Sequence, residues 1–541
     1  MASIAEVGNA DRSLGTAAAR PDLESGMGRS GTIAFFGLLA AGLAFVVYSL
    51  SQDLTGAGVS GLATGAVLLL GVALLIALGF EFVNGFHDTA NAVATVIYTH
   101  ALPPTVAVVW SGLWNFLGVL LASGTVAYGI ISLLPVELIL QANSGAGFAM
   151  VFALLLAAIL WNLGTWWLGL PSSSSHTLIG SIIGVGVANQ LMNYQQGTSG
   201  VDWGKAQEIG MSLLISPLMG FVLAAVLLLI LKQIVKSPAL YQEPKGKEPP
   251  PLWIRGLLIL TCTLVSFFHG SNDGQKGMGL IMLILVGTAP TAYALNRGIP
   301  AYEVAAFVEA TGKAQAAVVA ASNNALAPAE PLKTVETYLQ TRDLKPDTLP
   351  ALGALIGDIG AKSKQFGSPA GVPEAEISAV RSEMYIASEA LRVLKKSGDL
   401  KLDEAGSNSI KAFKAGIDNA TRYIPTWVKV AIAIALGLGT MVGWKRIVVT
   451  VGEKIGKTHL TYAQGASAEL VAAGMIGVAD GLGLPVSTTH VLSSGVAGTM
   501  AANGSGLQMS TLRSLAIAWV LTLPASIMLA GTLYYLFSLI A

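Results

Sequence analysis

The sequence is poor in cysteine and in charged residues. It contains a single cysteine, Cys262, which excludes an internal disulfide and a cysteine-based metal site. Only 11% of the residues are charged, whereas a soluble domain usually carries about 25%. The formal net charge is zero, so the chain lacks the basic surface that nucleic-acid binding requires. The N-terminus also lacks the charged start and short apolar core of a cleaved signal peptide.

Hydrophobic residues, in contrast, make up 53% of the chain. Many apolar stretches approach the roughly 20 residues that span a bilayer. We therefore predict an all-α polytopic membrane protein with about 10–12 transmembrane helices. The predicted segments are a disordered tail (1–30), a first transmembrane repeat (31–235), a cytoplasmic linker (236–252), a second repeat in two parts (253–292 and 426–541) and a soluble helical insert (293–425).

Lysine and arginine in the short loops predict the orientation. Residues 232–255 and 444–457 are both rich in these cations, which places them in the cytoplasm. One apolar span, 426–443, separates the polar insert from the second basic loop. The insert is therefore expected outside the cytoplasm, as a solvated domain without chemistry of its own.

Two polar motifs each occur twice. NGFHDTANA (84–92) aligns with HGSNDGQKG (269–277), and GLPSSSSHTL (169–178) aligns with GLPVSTTHVL (483–492). Six of the ten positions in the second pair are identical. The motif spacing is 85 residues in the first half and, without the insert, 81 in the second. The sequence thus predicts two inverted repeats with broken helices or re-entrant hairpins, an arrangement found in transporters.

The serine-rich motif is expected to start a helix, with its proline in the first turn. The free N–H groups and positive dipole end of such a helix bind anions, and two matched copies could hold a tetrahedral oxyanion from opposite sides. Helix capping alone is the alternative. His176 and His490 close the clusters, either as proton carriers or anion donors or as neutral histidines bonded within their own motif. The predicted hydroxyl donors are Ser173, Ser174, Ser175, Ser487, Thr488 and Thr489.

The other motif carries acids that are costly within a membrane, Asp88 and Asp273. Each needs a proton or cation, and the surrounding glycines would let the helix break and expose carbonyl oxygens, ligands that suit Mg²⁺. Lys276 occupies the position of Asn91 in the first half, so it could act as a fixed cation where the first half binds a mobile one. A structural polar cluster is the alternative. The predicted neighbours of the two acids are Asn84, His87 and Asn91 in one half, and His269, Asn272, Gln275 and Lys276 in the other.

These motifs resemble the inorganic phosphate transporter (Pit) family, in its bacterial low-affinity, proton-coupled branch. The resemblance implies a non-enzymatic symporter in a bacterial inner membrane that imports phosphate by alternating access. It also implies co-transported protons and a divalent metal such as Mg²⁺, with no permanently bound cofactor. Asp88 and Asp273 become the candidate metal ligands, and Asn84 and Asn272 join the Ser/Thr phosphate contacts.

Three other functions remain open at this point. His87 and Lys276 depart from the Asn-Asp-x-x-Asn pattern of sodium-coupled members, which favours protons over sodium, but a sodium-coupled transporter of phosphate or sulfate is the main alternative. An intramembrane hydrolase would need one activated serine, and the chain has no Gly-x-Ser-x-Gly elbow. An anion channel is the third alternative. Faces rich in small residues also suggest a homodimer.

Overall fold

The computed structural model describes residues 20–23, 28–59, 64–134, 138–139, 145–193, 200–244 and 246–540, without the side chains of 64 and 89–91. Regular structure in these ranges is helical, with one isolated β-bridge between Gly456 and Leu507. The predicted all-α class is therefore confirmed. Most of the predicted tail (1–30) lies outside the described residues, as does the side chain of Asn91.

Within the described residues, eight helices of seven or more residues precede the insert region. They are α1 (Arg29–Gly56), α2 (Thr64–Tyr98), α3 (Pro104–Leu121), α4 (Thr125–Ile131), α5 (Gly145–Trp167), α6 (Ser174–Met192), α7 (Trp203–Ile234) and α8 (Leu252–Thr288). The insert contributes α9 (Ala301–Ala321), α10 (Pro331–Thr341), α11 (Thr348–Phe366), α12 (Glu374–Ser397) and α13 (Glu404–Thr421). The chain then forms α14 (Thr426–Thr440), α15 (Lys445–Glu453), α16 (Tyr462–Gly481), α17 (Thr488–Asn503) and α18 (Met509–Ser538).

The number of candidate membrane spans is lower than expected. By length and composition, eight helices of the described part could cross a membrane, or nine if a bent pair counts as one span. One reason for the difference from the predicted 10–12 is that apolar stretches on either side of a polar motif belong to one helix. Residues 253–268 and 277–292, for example, fall largely within α8, which has 37 residues.

The predicted helix breaks at the acidic motifs are also wrong, since α2 and α8 run through them without interruption. Their glycines instead permit close helix packing. A Cβ at Gly85 would clash with the carbonyl oxygen of Leu436 on α14, and one at Gly270 would clash with that of Asn115 on α3. The polar groups of these motifs are therefore side chains on two continuous helices.

The two halves exchange their packing partners. Helix α6 packs on α18, and its counterpart α17 packs on α7. In the same way α2 packs on α14, and α8 packs on α3. Glycines mark both crossings of the first pair, where Gly184 faces the backbone of Ile527 and Gly498 faces that of Phe221.

The helices that carry the acidic motifs run in opposite directions. Arg255, near the start of α8, donates from Nε to the carbonyl oxygen of Ala101, just after the end of α2, at 2.8 Å. Tyr98 at that end of α2 also bonds Glu453, which ends α15. Opposite directions are what an inverted repeat requires, and inversion of the complete halves stays a prediction.

The insert helices pack around a hydrophobic core of their own, which includes Val318, Leu352 and Phe413. Helix α9 is apolar enough to be counted among the candidate spans, but it packs on α11 and α13 within the insert. Arg392 of α12 joins the insert to the membrane part through an ion pair with Asp202, the N-cap of α7. The position of the insert outside the cytoplasm stays a prediction.

Candidate functional site

Each serine-rich motif forms a loop that continues into the first turn of a helix, and we call these matched segments tip 1 (169–175) and tip 2 (483–489). Gly169 and Gly483 adopt φ of +67° and +68°, a left-handed conformation that glycine tolerates best, and this lets the chain reverse after α5 and α16. Ser173 and Ser487 then cap α6 and α17, each accepting the backbone N–H three residues ahead at 3.2 Å. The repeated sequence thus produces repeated geometry.

The prolines lie outside the helices that follow. Pro171 comes before the N-cap Ser173, and Pro485 before the N-cap Ser487, so their predicted place in the first helical turn is wrong. A capping serine satisfies the first backbone donors better than proline does, because its hydroxyl accepts a hydrogen bond from within the first turn. The prolines instead belong to the loops that precede α6 and α17.

Both tips converge on one carboxylate. Ser174, the first residue of α6, donates to Oδ2 of Asp88 at 2.6 Å. Thr489, in the first turn of α17, donates to Oδ1 of the same side chain at 2.7 Å. Asp88 is buried, and hydrogen bonds to a charged acceptor are roughly twice as strong as neutral ones. The acid of one motif therefore joins the helix tips of both halves.

The second acid pairs with the lysine of its own motif. Lys276 Nζ lies 2.7 Å from Asp273 Oδ2, and both side chains are completely buried. Ser174 connects the two acids, since its hydroxyl also lies 3.4 Å from Asp273 Oδ2 and 3.4 Å from Lys276 Nζ. The site thus contains two carboxylates and one fixed cation that share a single serine.

His87 also contacts Asp88. Its Nδ1 lies 3.0 Å from Asp88 Oδ1, and its Nε2 lies 3.2 Å from the hydroxyl of Thr165. Ser172 completes a Ser–His–Asp sequence, but its hydroxyl is 3.5 Å from His87 and only 2.8 Å from Thr165. A serine nucleophile needs its base within close hydrogen-bonding reach, so this arrangement orients His87 rather than activating Ser172.

Several buried polar atoms of the motifs have no hydrogen-bond partner among the described residues. They include Asn84 Oδ1, Asn272 Oδ1, Asp273 Oδ1 and Thr488 Oγ1. Buried polar atoms are nearly always paired, and leaving one unpaired costs about 1–3 kcal/mol. Acceptors and a hydroxyl of this kind suit a ligand that carries both a cation and hydrogen-bonding oxygens.

Three ligand atoms come close enough to hold one metal ion. Asp88, His269 and Asp273 each offer an atom, and these atoms lie within 4.8 Å of one another. The two aspartates are the predicted metal ligands. His269 was not predicted as a ligand, although it lies one helical turn before Asp273 on α8, a spacing that places both side chains on the same face.

Some predicted residues lie away from the two acids. Gln275 accepts the backbone N–H of Val126 at 2.9 Å and donates to Asp480 at 2.6 Å, which ties α8 to the start of α4. Ser175 donates to the carbonyl oxygen of Val486 at 2.8 Å and so joins tip 1 to tip 2.

The two motif histidines form a separate pair. The ring centroids of His176 and His490 are 4.5 Å apart, and His490 stacks on Trp519.

The sequence motifs do not include the polar residues that position His87 and His269. Thr165 supports His87, and Asn115 bonds Nδ1 of His269 at 2.8 Å. Both lie on other helices, outside any motif.

Comparison with known proteins gives consistent matches. The chain matches the model of the phosphate transporter family over residues 84–530. It is 43% identical over 491 residues to the low-affinity inorganic phosphate transporter PitA of Escherichia coli K12, covering 87% of this chain and 97% of that protein. It is 28% identical to a probable low-affinity inorganic phosphate transporter of Bacillus subtilis over 479 residues, covering 88% and 99% respectively.

A solved structure described as the sodium-dependent phosphate transporter aligns with 88% of this chain and all of its own. The TM-score is 0.48 and the sequence identity is 20%. This likeness is too weak to bear on the geometry of the site.

Proposed function

Because the chain belongs to the phosphate transporter family, we propose that it imports inorganic phosphate as a neutral complex with a divalent metal, together with protons. It is a multi-pass protein of a bacterial inner membrane, and its function is transport rather than catalysis. The proposed mechanism is alternating access at the site between the two tips. One observation carries the proposal: Ser174 and Thr489, from different halves, bind the two oxygens of Asp88.

The tips supply the anion-binding part. Helices α6 and α17 start at Ser174 and Thr488, and the start of a helix presents free N–H groups and a partial positive charge. Hydroxyls and N–H groups hold a phosphate without a fixed charge on the tip, so the anion can also leave. A hydrogen bond from a protonated phosphate to a carboxylate would favour phosphate over sulfate, which has no proton to donate at neutral pH.

The acids explain why a metal should accompany the phosphate. Asp88 and Asp273 carry two negative charges, and Lys276 offsets one of them. A bare phosphate about 4 Å from an uncompensated carboxylate would be repelled by roughly 4 kcal/mol at an effective dielectric constant near 20. A divalent cation reverses that interaction, and Asp88, His269 and Asp273 fit such a cation as cargo.

The halves differ where the coupling ion would bind. Lys276 places a permanent cation beside Asp273 at 2.7 Å, whereas the first half has Asn91 at the matching position. A fixed cation beside Asp273 leaves Asp88, of the two motif acids, to take a mobile cation or proton. His87, 3.0 Å from Asp88, is the neighbouring group able to exchange a proton with it. This asymmetry favours protons over sodium as the coupling ion.

Opposed helices provide a physical basis for alternating access. Each tip helix packs on the last long helix of the other half, so a shift of one half would move both tips. A channel would need a continuous open path, whereas here the described side chains between the tips bond one another. The homodimer stays a prediction.

Uptake of labelled phosphate into proteoliposomes tests the proposal. The pH gradient, sodium and Mg²⁺ are varied independently, with sulfate and arsenate as competitors. We expect uphill uptake that requires the pH gradient and Mg²⁺, is indifferent to sodium and is inhibited by arsenate more than by sulfate. Undiminished uptake in the presence of a metal chelator would refute the metal complex, and dependence on a sodium gradient would support the alternative.

A further inference from the structure

A second cationic site lies at the base of tip 1. A cavity of about 490 Å³ opens between the residues before α1 and the start of α15. Leu168 and Gly169 also line the cavity, and tip 1 begins at Gly169. We call it the basal pocket, and its charged lining residues are Arg20, Asp22, Lys445, Arg446 and Lys454. Four cations therefore face one carboxylate.

Both arginines of the pocket already have a partner within the protein. Arg446 donates to the carbonyl oxygen of Trp167 at 2.8 Å and lies over the ring of that residue, 4.8 Å from its centroid. Arg20 forms an ion pair with Glu453 at 2.8 Å. Both guanidinium groups therefore lie at the pocket wall, and arginine suits the recognition of a phosphate group.

The lysines remain available for a ligand. Lys445 and Lys454 form no ion pair with any residue of the described ranges. Lys445 contacts only the ring of Trp444, 6.0 Å from its centroid, through its charged group. Like charges gathered around a cavity attract an anion and raise its local concentration. Within the described residues, the pocket thus contains two lysines that have no ion-pair partner.

The pocket is placed at a membrane surface. Trp167 and Leu168 are 65% and 70% exposed, and tryptophan is enriched where lipid meets water. The basic loop 444–457 predicts that this surface is cytoplasmic, where anionic lipids give the leaflet a negative potential. The pocket therefore combines a cationic wall with apolar side chains beside it.

From these observations we propose that the basal pocket binds a phosphate group, separate from the site at Asp88. The source is the headgroup of an anionic phospholipid or inorganic phosphate that has crossed the membrane. Bound phosphate would also lie beside tip 1, because Gly169 lines the pocket, and Thr450 of α15 donates to the carbonyl oxygen of that glycine at 2.8 Å. The pocket is thus linked to the loop that positions Ser173 and Ser174.

The experiment uses the full chain in nanodiscs. In the lipid arm, native mass spectrometry counts phosphatidylglycerol retained from mixed phosphatidylcholine discs. In the phosphate arm, binding of labelled inorganic phosphate is measured in pure phosphatidylcholine discs. The transport site is the same in every variant, so the part of the binding that differs between variants is assigned to the basal pocket. Both arms compare the parent protein with Lys445→Gln/Lys454→Gln, with the charge-conserving Lys445→Arg/Lys454→Arg, and with Lys457→Gln on the same loop but outside the pocket.

We expect binding in one arm that falls roughly 30-fold in the double glutamine variant and is retained in the arginine variant and in Lys457→Gln. Retention by the arginine variant separates loss of charge from loss of fold. Binding in the lipid arm identifies a headgroup site, and binding in the phosphate arm identifies a site for the released anion. Equal binding by the parent and glutamine proteins in both arms, or an equal loss in Lys457→Gln, would overturn the proposal. Neither outcome depends on transport activity.

Discussion

Replacing Lys276 by glutamine is the sharpest test of the charge balance in the site. The change keeps a similar chain length and a hydrogen-bond donor but removes the positive charge that lies 2.7 Å from Asp273. Both side chains are completely buried, so no water replaces the lost interaction. We expect phosphate uptake to be abolished and the folded protein to be less stable.

The magnitude follows from burial. At 2.7 Å the attraction between two unit charges is roughly 6 kcal/mol with an effective dielectric constant near 20. The cost of desolvating both charges offsets part of this, and removing one partner of a buried pair typically destabilises a protein by about 3–5 kcal/mol. Lys276 also lies 3.4 Å from the hydroxyl of Ser174, so the variant disturbs tip 1 as well.

A double-mutant cycle separates structural from functional loss. Thermal stability in detergent and phosphate uptake in proteoliposomes are measured for Lys276→Gln, Asp273→Asn and the combination. The double variant removes both charges, so we expect it to be more stable than either single variant while still failing to transport. Normal uptake by Lys276→Gln would refute the role of a fixed cation. Full recovery of uptake in the double variant would show that the pair serves only the fold.

Further predictions concern the first acid, tip 1 and the glycine contacts. Asp88→Asn should abolish uptake without changing the elution of the purified protein in size-exclusion chromatography, because an amide can still bind the two hydroxyls and the imidazole that surround the acid; residual uptake would refute its coupling role. Ser174→Ala removes the donor to Asp88 and should lower uptake at least about tenfold, since a hydrogen bond to a charged group contributes about 1.5–3 kcal/mol. Ser181→Ala, further along α6, should retain uptake, and an equal loss in both would contradict the assignment. Gly270→Ala should lower the melting temperature because its Cβ meets the backbone of α3, whereas Gly256→Ala on the same helix meets no atom within 4 Å and should stabilise α8 by up to about 1 kcal/mol.

Duplication made much of the site readable from the sequence. Matched prolines, glycines and hydroxyls predicted two equivalent tips, and matched aspartates predicted that both halves contribute an acid. The pairing of Lys276 with Asp273 could also be predicted, because residues three positions apart on a helix share a face. Local patterns were sufficient here because repetition removed most of the ambiguity.

Other features depend on contacts that the sequence pattern does not encode. Gly85 and Gly270 were expected to break their helices, since glycine does so in isolation. Their actual role requires knowledge of the backbone that faces them, on α14 and α3. Gln275 was grouped with Asp273 by proximity in the chain, but its amide points to Val126 and Asp480. Polar supports such as Thr165 and Asn115 lie outside any motif, and only the fold brings them to the histidines.

The exchange of helices between the two halves bears on how the protein is made. When the ribosome has completed α7, the glycine faces of α2, α3 and α6 have no neighbours yet, because those neighbours are α14, α8 and α18. In the newly inserted first half, these contacts between helices therefore form only after the insert and the second half have been synthesised. Separately expressed halves should consequently be short-lived alone and rescue each other when produced in the same cell.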